Sequence, residues 1–148
     1  MRDKYESLRL KNQLCFPLYA VSNLILRKYK PLLDELDLTY TQYLVMMVLW
    51  EKERASEKVI CESLGLQSNT LAPLLKKLAG KGYIEKTKDP SDGRTLAIEL
   101  TQVGKDLQEQ ALPVPECMAK KFSITPEETE TLYRILYKIL KTEKEKES

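Results

Sequence analysis

The sequence predicts a mainly α-helical protein with a small β-hairpin wing, a winged helix-turn-helix, from three stretches between residues 55 and 101. In the first, Ser56 caps a helix carrying Val59, Ile60 and Leu64 on one face, and Gly65 breaks it. In the second, a helix from about Ser68 sets Leu71, Leu74, Leu75 and Leu78 at i, i+3, i+4, i+7. That spacing buries one stripe and leaves Asn69, Ala72, Lys76 and Lys77 on other faces, so the helix suits a major groove. In the third, β-type runs at 83–88 and 95–100 flank the turn Asp89-Pro90-Ser91-Asp92-Gly93-Arg94. The hairpin tip offers Arg94, long enough to enter a minor groove.

The rest of the chain reads as helix. Leu14, Leu18, Val21 and Ile25 form an apolar stripe on a first helix that ends near Lys30, with Pro31 just beyond. Thr39-Tyr40-Thr41-Gln42 is a capping box opening a second helix, and residues 43–50 are apolar nearly all round, which requires burial. Thr101 caps a helix to about Ala111, after which Pro113 and Pro115 interrupt or kink the chain and leave it loosest near Cys117. Thr125-Pro126-Glu127-Glu128 opens the last helix with a cap, a first-position proline and a third-position glutamate. Its stripe of Leu132, Leu136, Ile139 and Leu140 is assigned to partner helices, because a domain that reads two-fold sites presents two copies. The Lys- and Glu-rich tail at 141–148 reads as frayed. By this division 1–54 and 101–148 form a helical dimerisation region and 55–100 the DNA-binding region, in one folded unit.

With 148 residues, 43% of them hydrophobic, the chain buries a real core. The net charge of +2 does not nominate nucleic acid, but its distribution does. Residues 67–94 hold six bases against three acids, and residues 34–62 seven acids against three bases, so the basic footprint falls on the reading surface. No signal-peptide pattern or membrane-spanning apolar run is present, which places the protein in the cytoplasm without a membrane partner. The odd number of cysteines argues against a secreted disulfide framework. Absence of histidine and the wide separation of Cys15, Cys61 and Cys117 argue against zinc, and no cofactor is expected.

Residues 12–43 narrow the reading. The strings Asn12-Gln13-Leu14-Cys15-Phe16-Pro17-Leu18-Tyr19, Tyr29-Lys30-Pro31-Leu32-Leu33 and Leu38-Thr39-Tyr40-Thr41-Gln42-Tyr43 strongly resemble the MarR family. Within it they resemble the organic-hydroperoxide regulators and their thiol-based redox-sensing relatives. Ser68-Asn69-Thr70-Leu71-Ala72-Pro73-Leu74-Leu75-Lys76-Lys77-Leu78 and the wing's Asp92-Gly93-Arg94 extend the resemblance over nearly the whole chain. It departs from the family at Gln67 and Asn69, where relatives often carry Asp and Gly. The resemblance implies an α-helical homodimer with winged domains, Cys15 as peroxide sensor, and Tyr29 and Tyr40 reaching Cys15 of the other subunit, with Tyr19 a third candidate. Some members carry a second cysteine near Cys117 and form a disulfide across the dimer, which implies that sulfenic acid at Cys15 condenses with the partner's Cys117. Cys61 is assigned to buried, inert packing.

Physical chemistry supports a sensor role for Cys15 independently. A thiolate attacks peroxide, and the positive end of a helix dipole or hydroxyl donors stabilise that charge. The reading is therefore a repressor of an inverted-repeat operator, released when an organic hydroperoxide oxidises Cys15. Ser68, Asn69, Thr70, Lys76 and Lys77 meet bases or phosphates, and Asp92 orients Arg94. Two alternatives stay open from the residues alone: a regulator sensing a noncovalent phenolic ligand, and a thiol peroxidase using Cys15 catalytically. The second lacks a partner histidine or a dedicated cationic pocket.

Overall fold

A computed structural model describes residues 3–89 and 91–147; Pro90 of the expected turn and Ser148 of the tail lie outside them. The chain forms two compact units, one up to Pro115 and one from Glu116.

In the first unit, two short 3-10 turns (Glu6–Leu8 and Leu10–Asn12) precede α1, Cys15–Asp34. This helix does not end near Lys30: Pro31 lies inside it, although it has no N–H to donate to the carbonyl one turn earlier. Burial of Leu33 and Leu36 just beyond it offsets that loss. Asp37, in the left-handed region at φ 52°, turns the chain into α2, Tyr40–Lys52. The capping box is present: Gln42 N–H donates to Thr39 Oγ1 (3.3 Å), and Thr39 N–H donates to Gln42 Oε1 (3.1 Å). Tyr43, Val45, Met46, Val48 and Leu49 of α2 are buried, as near-continuous apolarity demands.

Strand β1, Arg54–Ser56, is an addition to the expected elements. It pairs with the far side of the wing, giving an antiparallel sheet of order β1-β3-β2 with β2 at Ile84–Asp89 and β3 at Asp92–Leu100. The register sets Ala55 opposite Ile98 and Thr87 opposite Ala97, and Arg54 meets Glu99 at 3.0 Å. Between β1 and the wing lie α3, Glu57–Leu64, and α4, Ser68–Gly80. Ser56 Oγ caps α3 at Val59 N–H, and Gly65 ends it at φ 65°, a conformation open to glycine without strain. Val59 is exposed rather than part of the buried face; Ile60 alone on α3 is fully enclosed. On α4, Leu71, Leu75 and Leu78 are fully buried and Leu74 half-buried, as the periodicity requires.

Thr101 Oγ1 accepts from Gly104 N–H to open α5, Gln102–Ala111. Gly104 is a close-approach position: a Cβ there would run into the backbone carbonyl of Tyr83, and its own carbonyl accepts from Trp50 Nε1 at 2.9 Å. Helix α6, Pro113–Ala119, follows after one residue. The two prolines interrupt the chain as expected, but they do so within the first turn of α6, where no N–H has an intrahelical acceptor, so they start a helix that holds Cys117 instead of loosening it.

In the second unit, Thr125 and Glu128 exchange both capping-box hydrogen bonds (2.9 and 3.1 Å) at the start of α7, Pro126–Glu147. The tail read as frayed continues this helix to Glu147, with an i,i+3 pair between Glu143 and Lys146.

Candidate nucleic-acid interface and thiol site

Helix α4 presents its first turn, Ser68, Asn69 and Thr70, to solvent, and Lys76 and Lys77 are also exposed. Gln67 occupies the cap without a side-chain bond, while the backbone N–H groups of Thr70 and Leu71 both use the Gln67 carbonyl. The N–H groups of Ser68 and Asn69, which precede any intrahelical acceptor, lie at the positive end of the helix dipole, an arrangement that accepts phosphate.

The wing is longer than expected. Pairing continues to Asp89 opposite Asp92, so Arg94 lies on β3, below the tip instead of at it. The irregularity between Lys88 and Asp89 falls at the end of the ladder. Asp92 holds the Arg94 region, accepting from the Arg94 backbone N–H (3.1 Å) and from the Thr95 hydroxyl (2.9 Å). No bond between the Asp92 carboxylate and the Arg94 guanidinium is present among the described residues, so any orientation it gives that side chain acts through the main chain. Asp89 accepts the hydroxyl and amide hydrogens of Ser91, which hold its carboxyl below the usual carboxylate range.

Cys15 is the first residue of α1 and is exposed, with Leu14 at the cap and Pro17 in the first turn, where its missing N–H costs nothing. Cys61 and Cys117 are half-buried. The Tyr29 and Tyr40 rings pack at a tilt of 44° with centroids 4.9 Å apart, and Tyr43 joins them at 5.9 and 6.4 Å. Trp50 closes the row edge-on against Tyr43 at 6.2 Å. Burial pushes the Tyr29, Tyr40 and Tyr43 hydroxyls above the ordinary phenol range, and like any phenol they are protonated donors at neutral pH. Tyr43 and Trp50 were not singled out for this cluster in the sequence; the signal for them was helical spacing, Tyr43 three positions after Tyr40 and Trp50 seven after Tyr43.

Cys15 and Tyr29 lie fourteen positions apart on one uninterrupted helix, which places them about 21 Å apart along its axis. The tyrosine pair is therefore out of reach of the cysteine of its own chain. Tyr19, one turn from Cys15, is largely exposed. Beside Tyr40, a pocket of about 380 Å³ opens between α1 and α2, lined by Leu26, Leu33, Leu38 and Tyr40 with Lys30 and Asp34. Among the described residues no cluster of three or more His, Cys, Asp or Glu is placed to hold a metal ion, and no helix is long and apolar enough to cross a membrane.

Fold and surface together define a winged helix-turn-helix of the kind that reads DNA. The family model for the transcriptional regulators SarA/Rot matches residues 27–111. The chain is 39% identical over 142 residues to the organic hydroperoxide resistance transcriptional regulator of Bacillus subtilis strain 168, covering 96% of this chain and 97% of that one. It is 38% identical to reduced AbfR bound to DNA, with a TM-score of 0.74 over 95% of this chain and 98% of that one. AbfR, a protein of Staphylococcus epidermidis, is also known overoxidised on DNA, and in a disulfide form that this chain matches at a TM-score of 0.63. A mutant MarR from E. coli complexed with operator DNA shares the fold, with a TM-score of 0.80 at 22% identity over 94% of this chain and 99% of that one. The chain belongs to the SarA/Rot family of transcriptional regulators, whose winged helix is MarR-like.

Proposed function

We propose that this protein is a homodimeric, redox-sensing repressor that leaves an inverted-repeat operator when an organic hydroperoxide oxidises Cys15. The observation that carries the reading is the position of Cys15. It stands exposed at the N-terminus of α1, while Tyr29 sits about 21 Å along the same helix with Tyr40 of α2 packed against it, so the two phenols that would steady a thiolate can serve only another chain's cysteine. The relatives' redox and hydroperoxide descriptions support the same reading.

In the proposed reaction the Cys15 thiolate attacks the terminal peroxide oxygen. The S–O bond forms as the O–O bond breaks, and the alkoxide leaves and takes a proton as an alcohol. Sulfur gives up two electrons and becomes sulfenic acid. The thiol of Cys117 from the second subunit then displaces water to form an intersubunit disulfide. One turnover per sensor distinguishes this from a peroxidase, and its place of action is the cytoplasm. On DNA, Ser68, Asn69, Thr70, Lys76 and Lys77 contact bases or phosphates in the major groove and Arg94 enters the minor groove, with Asp92 fixing the wing backbone. Oxidation shifts the tyrosine-bearing segment and alters the spacing of two recognition helices that must occupy half-sites about one helical turn apart.

Hydroperoxide should convert the reduced dimer to a covalent dimer on non-reducing gels, reversed by dithiothreitol. Cys117→Ser should abolish that band and leave sulfenic acid trappable at Cys15. A covalent dimer that persists in Cys117→Ser, or one linked through Cys61, contradicts the pairing. The pocket beside Tyr40 favours a second reading, a noncovalent aromatic ligand, since its volume falls in the small-molecule range. That reading requires induction to survive Cys15→Ser.

A further inference from the structure

We propose that Lys81 is a positioning residue that couples the Tyr40 corner to the recognition helix, so that displacement at the tyrosine pair is delivered to α4. The inference deepens the redox reading and rests on it.

Lys81 belongs to α4 by its backbone and to the α1–α2 corner by its side chain. Its N–H bonds to the Lys77 carbonyl in the last turn of α4. Its ammonium donates to the Asp37 carbonyl (2.6 Å) and to Gln42 Oε1 (3.0 Å), and it pairs with the Asp37 carboxylate at 3.4 Å. Three N–H groups thus meet three acceptors in a side chain that is one quarter exposed. Gln42 is 2% exposed, and the oxygen that receives Lys81 is the one that accepts Thr39 N–H in the capping box. The residue between that cap and Thr41 is Tyr40, at the first position of α2. A single oxygen therefore joins the start of the tyrosine helix to the end of the recognition helix.

A second strap runs in parallel. Tyr83, just beyond α4, donates its hydroxyl to the Leu36 carbonyl at 2.9 Å, one residue before Asp37. The positive φ of Asp37 concentrates the turn at this point, so the carbonyls of residues 36 and 37 both serve as acceptors for groups following α4. Directional bonds of this kind fix the register between the end of α4 and the α1–α2 corner.

The test compares operator affinity of reduced and cumene-hydroperoxide-treated protein in wild type, Lys81→Met, Lys81→Arg and Tyr83→Phe, alongside the rate of peroxide reaction at Cys15. Lys81→Met keeps the length of the stem and removes the ammonium. It should react with peroxide at the wild-type rate, yet its ratio of reduced to oxidised affinity should shrink about tenfold, a typical size for allosteric coupling; Lys81→Arg should recover part of the ratio. Equal weakening of both states with the ratio preserved would mean a structural or simple charge role and would overturn the proposal. Should Lys81→Met fail to fold, Tyr83→Phe carries the same comparison. If wild type shows no affinity change on oxidation, the redox reading fails, and the coupling is tested in reduced protein. Because coupling is reciprocal, operator binding should then slow amide hydrogen exchange at 40–43 in wild type and not in Lys81→Met. Identical exchange in the two proteins would contradict the link.

Discussion

Tyr29 and Tyr40 can act on a thiolate only as protonated donors, which phenols are at neutral pH, and burial moves their titration further into the alkaline range. A hydrogen bond to a charged group contributes about 1.5–3 kcal/mol, so Tyr29→Phe or Tyr40→Phe should slow the reaction of Cys15 with peroxide about tenfold or more near neutral pH. Stopped-flow kinetics on the two variants checks this; wild-type rates in both would reduce the tyrosines to packing. Their titration has a consequence for stability as well. In the folded protein Tyr29, Tyr40 and Tyr43 bind their protons more tightly than the unfolded chain does, so the folded state gains relative stability below the ordinary phenol pKa of about 10. That gain is lost as pH rises from there through the raised values. Absorbance at 295 nm should show late-ionising phenols, and denaturant midpoints should fall across the same alkaline window. Arg94→Ala should weaken specific operator binding by roughly 1–3 kcal/mol without changing dimerisation, as measured by fluorescence anisotropy.

At the scale of elements, short-range chemistry was legible and long-range pairing was not. The capping boxes at Thr39 and Thr125, the caps at Ser56 and Thr101 and the leucine stripe of α4 are all encoded within four to ten residues, and each forms as read. Strand β1 was not readable, because three residues gain β structure only through pairing with β3 more than forty positions away. Pro31 misplaced the end of α1 because tertiary burial of Leu33 overrides a local propensity. In the thiol site, the tyrosine string was legible, whereas the junction of Lys81 with Gln42 and Asp37 spans 39 and 44 positions and leaves no local signature. Gly104 is likewise a tertiary constraint. Gly104→Ala pushes a methyl group against the rigid main chain at Tyr83, so it should cost about 1–3 kcal/mol in urea denaturation while helix content is retained.

The whole molecule is intelligible only as a pair of chains. Leu14, Leu18 and Val21 of α1 are exposed in the single chain, and so are Leu132, Leu136, Ile139 and Leu140 of α7. Apolar surface on this scale marks an interface. Replacing Leu136 and Leu140 together by Glu should halve the mass measured by light scattering and abolish high-affinity operator binding, because a lone winged domain reads only one half-site. The central claim, that oxidation of Cys15 is what releases DNA, is tested most directly by titrating a cognate inverted repeat with reduced and with organic-hydroperoxide-treated protein, in wild type and in Cys15→Ser. Both reduced proteins should bind tightly, and treatment should lower affinity in wild type alone, with binding restored by dithiothreitol. Equal loss in Cys15→Ser, or undiminished binding by oxidised wild type, would contradict it.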